Sequence, residues 1–176
     1  MPKRRASKVF QLLLLTWFSL APAIGQAADP TKVKAAFLYN FVKFIHWPQT
    51  NETSNEFKLC IYGEPALFEL MQKIPAKSIR GQALLILDIQ QPTLLQQCQL
   101  VYMRTQNYTA TQFILDNLSA HPILTVSDVD TFAKSGGMIE FKQKEQKLRF
   151  EINNSAAELA GLRISSKLLE LALEVY

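Results

Sequence analysis

The sequence predicts an α/β domain built on a mixed, mostly parallel sheet, and three observations carry that prediction. Between residues 57 and 134, short apolar runs alternate with segments of helical periodicity, the pattern of strands joined by crossover helices. After Gly136-Gly137, residues 138–142 and 148–153 read as a strand pair: Leu148, Phe150 and Ile152 alternate with Lys147, Arg149 and Glu151. That period of two marks a strand with one buried face, so an antiparallel hairpin is expected at one edge of the sheet. Finally, no repeat or low-complexity region divides the 176 residues, which fits a single domain of ordinary size.

Residues 1–27 read as a cleaved signal peptide. Lys3, Arg4, Arg5 and Lys8 form a positive start, residues 9–20 are mostly apolar, and Gly25-Gln26-Ala27 places small residues at a cleavage point after Ala27. The apolar run is short for a membrane span, and Pro22 follows it. The alternative is an uncleaved anchor. The domain is therefore expected over residues 28–176, as an exported protein. The chain has 19 Lys and Arg against 15 Asp and Glu, and four of those cations lie in residues 1–27. The rest is balanced at 15 of each, which gives no support for nucleic-acid binding. An exported chain meets an oxidising compartment, so Cys60 and Cys98 are expected to form one bridge, with two buried free thiols as the alternative. The bridge would close a loop of about 39 residues and stabilise by about 4 kcal/mol before strain.

Along the mature chain, Asp29-Pro30 suits a helix start, and residues 32–47 read as a helix with Val33, Phe37, Phe41, Phe44 and Ile45 on one stripe. Ala35, Leu38 and Val42 widen that stripe, so the helix is buried on more than one side or docks a partner. Trp47-Pro48 ends it. Residues 49–56 are loop-like and 57–62 form a strand. Gly63-Glu64-Pro65 turns the chain, and 66–74 are helical. Residues 83–89 read as a buried strand, 93–97 as a short helical turn and 98–103 as another buried strand. Residues 109–118 form a helix with Phe113, Ile114 and Leu118 as its apolar set. Residues 122–126 form a strand, and Ser127-Asp128 caps a short helix reaching Lys134. After the hairpin, Ser155 and Glu158 have capping-box spacing over a segment 153–160, and Gly161 sits at its C-terminal end. Residues 162–164 extend, and Ser165 or Ser166 caps a last helix carrying Leu168, Leu169, Ala172 and Leu173.

Chemistry-bearing motifs are few. The five glycines after residue 28 form neither a dinucleotide fingerprint nor a P-loop. His46 and His121 have no further ligands at metal spacing, there is no nucleophile elbow, and the cysteines lack CxxC spacing. No catalytic residue, metal or cofactor is therefore assigned. Ser127 and Asp128 follow a strand at the place where α/β proteins bind ligands, which makes them candidate ligand-binding residues beside their simpler role as a helix cap. Phe44 and Trp47 are candidates for a partner surface. The residues point to an exported binding or interaction domain and not to an enzyme.

Seven blocks carry a resemblance: KAAFLYNFVKFIHWP (34–48), LCIYG (59–63), RGQ (80–82), CQLVYM (98–103), PILTVSD (122–128), FAKSGGMIEF (132–141) and FEINNSAAELAGLRISSKLLELA (150–172). The chain resembles the YfiR-like family of bacterial periplasmic proteins over nearly its whole mature length. Trp47, Pro48, Gly136, Gly137, Asn153, Gly161, Ser165 and Ser166 stand in those blocks as structural motif residues. The resemblance implies a Rossmann-like sheet with helices on both faces. It also implies a non-enzymatic regulator that represses an inner-membrane diguanylate cyclase, or a related sensor kinase, through that protein's periplasmic region. Cyclic-di-GMP and biofilm control would follow. An outer-membrane lipoprotein that sequesters the regulator belongs to the same implied system, and a homodimer is a further expected partner. Cys60 and Cys98 match one family bridge. The chain departs from the best-known member by lacking a second cysteine pair near residues 135–139. A small-molecule sensor module at Ser127-Asp128 is the alternative function.

Overall fold

The computed structural model describes residues 29–48, 55–75, 78–79 and 81–176. The signal peptide expected over 1–27, its cleavage after Ala27, most of the 49–56 loop and Arg80 of the RGQ turn lie outside the described residues. The first helix, α1 (Pro30–Phe41), starts as expected: Asp29 is its N-cap, accepting from the Thr31 N–H, and Pro30 opens the first turn. It stops well before Trp47. The helix expected over 32–47 ends at Phe41, because β1 (Ile45–His46) leaves to pair antiparallel with β9 (Arg163–Ile164). Long-range pairing overrides the local apolar stripe there.

The main sheet holds β2 (Glu56–Tyr62), β3 (Ser78–Ile79), β4 (Gln82–Asp88), β5 (Leu100–Met103), β6 (Leu124–Ser127), β7 (Ile139–Lys144) and β8 (Lys147–Ile152). Their spatial order is β3-β4-β2-β5-β6-β7-β8. The five central strands are parallel, and β3 and β8 are antiparallel to their neighbours. The mixed, mostly parallel sheet and its edge hairpin are thus as predicted. β3 was not visible in the sequence, being two residues long.

Side chains alternate across this sheet and so build two cores. Phe57, Leu59 and Ile61 of β2, with Leu100 and Tyr102 of β5 and Leu124 and Val126 of β6, pack against α1 and α2 (Pro65–Gln72). Cys60, Val101 and Met103 face the other way, toward α3 (Tyr108–Leu118) and a 3-10 helix over Pro92–Gln97. The bridge Cys60–Cys98 forms on this second face and ties β2 to the chain entering β5. Phe113, expected in the apolar set of α3, is 61% exposed; Leu115 is buried in its place. The strand expected to be buried over 83–89 is only half-buried from Leu84 to Leu87, because β4 has nothing beyond it but the two residues of β3.

Two caps differ from expectation. Residues 129–136 wind as turns and not as a helix, since the buried Glu140 carboxylate accepts from the N–H groups of Thr131 and Ala133 and fixes the loop. Gly137 closes this loop against Phe132, where a Cβ would lie 2.2 Å from the ring. Helix α4 (Asn154–Leu159) is capped by Asn153, whose Oδ1 accepts from the Ala156 N–H, and not by Ser155. Gly161 takes φ +77° at its end, as expected. Ser165 precedes the short α5 (Ser166–Leu169) without a side-chain cap bond. Residues 173–176 then run beside β8: Leu173 N–H donates to Phe150, Tyr176 N–H to Ile152, and Ile152 N–H to Glu174. The Tyr176 carbonyl receives the Asn154 and Ser155 N–H groups at the start of α4.

Candidate functional site at the carboxyl ends of the strands

The parallel strands occur in the chain as β2, β4, β5, β6, β7 and in space as β4-β2-β5-β6-β7. The order reverses between β2 and β5. Crevices outside the carboxyl ends of strands at such a reversal are the usual ligand position of open α/β sheets. Here the ends of β2, β5 and β6 release Glu64, Arg104 and Asp128 side by side.

The backbone makes this possible at Gly63. Its φ is +76°, and a Cβ there would lie 2.1 Å from the Arg104 carbonyl oxygen. The Arg104 N–H also donates to the Tyr62 carbonyl, so the exits of β2 and β5 are locked together. Arg104 Nη1 then reaches Glu64 Oε2 at 2.7 Å and Asp128 Oδ2 at 3.8 Å. From α1, Lys34 Nζ meets the same Asp128 oxygen at 2.5 Å and the Tyr102 hydroxyl at 3.3 Å. Lys34 and Asp128 are largely buried, with 11% and 18% of their side chains exposed, whereas Arg104 is half in solvent at 52%. Asp128 Oδ1 is buried with no hydrogen-bond partner among the described residues.

Electrostatics fix the protonation states. Burial pushes the Tyr102 phenol far up, and the adjacent Asp128 carboxylate pushes it further, so it stays a neutral hydroxyl. Burial also pushes the Asp128 carboxyl up, but Lys34, Arg104 and the Tyr102 hydroxyl outweigh it and hold the group below the usual carboxylate range. The hydrogen bond that Arg104 donates to Glu64, followed by the Asp128 charge, raises Arg104. Two cations thus balance two anions around a protonated phenol. Tyr102, Asp128 and Arg104 are each shifted away from exchanging a proton near neutral pH. The arrangement suits recognition of a polar or charged group through rearranged ion pairs.

Of the residues singled out in the sequence, Asp128 lies in this cluster. Ser127 is fully buried behind it. Its hydroxyl donates to the Met103 carbonyl and accepts from the Val129 N–H, so it holds the ends of β5 and β6 together. Phe44 and Trp47 are elsewhere and half-buried. Phe44 packs on the main core, and the Trp47 indole donates to the Gln99 carbonyl and meets Phe57 edge-on at 5.2 Å. Lys34, Glu64, Tyr102 and Arg104 were missed. Charged residues directly after strand ends were the available signal, but strand order was needed to bring them together. A separate apolar groove of about 160 Å³, lined in part by Leu115, Leu118, Met138 and Leu159, shares no residue with the cluster. Among the described residues no group of three His, Cys, Asp or Glu side chains could hold a metal ion, and no helix is long and apolar enough to cross a membrane.

A family model described as YfiR/HmsC-like matches residues 31–173. No curated protein matches the chain. Among solved structures, a conserved domain protein from Vibrio cholerae O1 biovar eltor is similar at a TM-score of 0.54 and 11% identity, over 84% of this chain and 60% of that one. The ABC domain from Streptococcus pneumonia in complex with L-Trp is similar at a TM-score of 0.52 and 9% identity, over 81% and 60%. The chain spans 60% of the length of each. At such identities these likenesses concern the α/β fold.

Proposed function

From the premise that this chain belongs to the YfiR/HmsC-like family, we propose that it is a periplasmic regulator that binds an inner-membrane diguanylate cyclase and represses it. The single observation that carries this reading is the family match, which takes in nearly all of the described domain. The charged cluster supports it: ion pairs hold Asp128 and Arg104 charged beside a neutral Tyr102 hydroxyl, an arrangement suited to binding a polar or charged partner group. The partner engages the chain through the cyclase's periplasmic region, after export and removal of residues 1–27. A sensor kinase in place of the cyclase, and an outer-membrane lipoprotein that withdraws the regulator, fit the same logic. Deleting the gene tests the proposal. Cyclic-di-GMP and biofilm rise in the deletion strain and return on complementation; unchanged levels while the cognate cyclase is expressed would reject repression.

A second reading rests on the position of Asp128. The cluster sits where the strand order reverses, so a small polar ligand bound there would make the chain a sensor subunit. A thermal-shift screen of small polar metabolites then finds a stabilising compound, and both Asp128→Ala and Arg104→Ala lose the shift. A shift retained in both variants would move the ligand elsewhere.

A further inference from the structure

Strands β7 and β8 run on past the sheet that carries them. β6 pairs with β7 at Ile139 and Glu140, while β7 and β8 stay paired as far as Lys144 and Lys147. Residues 142–149 are therefore a two-stranded arm. Because β7 is parallel to β6, the arm rises from the end of the sheet where Arg104 and Asp128 lie. Its cross-strand partners are Lys142 with Arg149 and Lys144 with Lys147, so four cations share one face. Phe141 packs toward α1, against Phe37 and Phe41, and the cation face is turned the other way. At its root Lys142 is balanced by Glu140 at 2.6 Å and Asp130 at 3.1 Å, and Glu151 accepts from the Tyr176 hydroxyl. Lys144, Lys147 and Arg149 are exposed, and none of the three meets a carboxylate among the described residues. Arg149 donates instead to the Leu171 carbonyl. Two features make the arm costly. Like charges directly opposite one another destabilise a strand pair. The turn also puts Glu145 and Gln146 at φ 50° and 61°, where Asn-Gly is the usual choice. Residues 143–147 belong to neither core, so packing does not offset that cost.

We propose that this basic arm docks on the anionic phospholipid surface of the inner membrane. The occupant follows from the chemistry of the arm. Protein interfaces are depleted of Lys and enriched in aromatic residues at their centres. The arm offers Lys, Arg and Gln and no aromatic between residues 142 and 149, and the apolar grooves around Leu118 and around Phe113 share no residue with it. A layer of lipid headgroups asks for charge and not for shape, and each long cationic side chain can reach its own phosphate. Leu171, 56% exposed beside Arg149, adds an apolar side chain of the kind that enters the headgroup layer next to cations. Residues 28–176 carry equal numbers of cations and anions, so attraction is concentrated at the arm and sets one orientation. The carboxyl end of the sheet, with Arg104 and Asp128, then faces the bilayer, where a membrane protein's periplasmic segment emerges. The proposal rests on the reading that the chain works beside the inner membrane. Vesicle binding is measured without any cyclase, so it can fail while repression holds, and the reverse.

Co-sedimentation of the purified exported chain with lipid vesicles tests it. Vesicles of phosphatidylethanolamine and phosphatidylglycerol bind the chain at low ionic strength and release it in high salt, while phosphatidylcholine vesicles do not bind it. Each cation removed from the arm weakens partition about fivefold, so Lys144→Gln with Lys147→Gln loses about 25-fold. Lys73→Gln, which removes an exposed cation at the end of α2, leaves binding unchanged. Lys144→Glu separates docking from folding: it sets opposite charges across the pair with Lys147, so the melting temperature rises while vesicle binding falls. That variant decides the question should the double variant fail to fold. No binding to the anionic vesicles at low salt overturns the proposal. So does binding that is unchanged in the folded double variant or in Lys144→Glu, or an equal loss in Lys73→Gln. If the wild type instead binds the soluble periplasmic region of the cyclase, the double variant loses that binding and vesicles stay bare, the arm belongs to an acidic protein face and the membrane assignment falls.

Discussion

Asp128 shows how one side chain can serve both fold and site. Its carboxylate joins α1 to the ends of β5 and β6 through Lys34 and Arg104, and those partners hold its pKa down against burial. A carboxylate whose pKa is lower in the folded state contributes stability that is fully present above its unfolded value of about 3.9. That contribution fades as pH falls through the folded value. Replacing it by Asn strands a largely buried Lys34, so Asp128→Asn loses about 1–3 kcal/mol at pH 7 in urea denaturation. The difference from wild type starts to narrow below about pH 4, where the unfolded state takes up the proton, and closes as pH falls through the lower folded value of Asp128; a gap that stays constant down to pH 2 would contradict the assignment. Gly63 is the second such residue. Gly63→Ala places a Cβ against the Arg104 carbonyl at a positive φ and costs more than ~1 kcal/mol in the same measurement. Sequence reading reached Asp128 because it follows an apolar run. It could not reach Arg104 or Glu64, whose meaning depends on which strands are neighbours.

At the scale of elements, the bridge and the C-terminal block are the clearest cases. Cys60–Cys98 holds the end of the 3-10 helix against β2. Cys60→Ala together with Cys98→Ala is expected to lower stability by up to about 4 kcal/mol. Hydrogen-exchange protection should fall first at residues 92–98, and uniform loss across the domain would point to global unfolding instead. The strand pair 138–142 and 148–153 was legible because a half-exposed antiparallel pair writes its period of two directly into the sequence. The end of α1 was not, because the residues that break it away lie at Arg163 and Ile164, more than a hundred positions on. The same holds for Phe113: helical spacing set it with Ile114 and Leu118, while the face of α3 packed in the second core carries Ile114, Leu115 and Leu118. Capping was half legible. Gly161 was found from its residue type, but the side chain that caps α4 is Asn153, two residues before the Ser155 favoured by spacing.

For the whole molecule, the parallel core with its antiparallel edge followed from the alternation of element types, and the strand order supplied what alternation cannot: the reversal between β2 and β5 that gathers four charged side chains and a buried phenol. The central claim is that this domain represses a membrane diguanylate cyclase from the periplasmic side. The most direct measurement uses inner-membrane vesicles that carry a full-length cyclase of the same organism, with its periplasmic region facing the added protein, and follows cyclic-di-GMP synthesis as the purified chain is titrated in. The account predicts a saturable fall in the rate of synthesis, relieved when the periplasmic region of the cyclase is deleted. An unchanged rate at every concentration, with a cyclase shown to be active in the same vesicles, would contradict it.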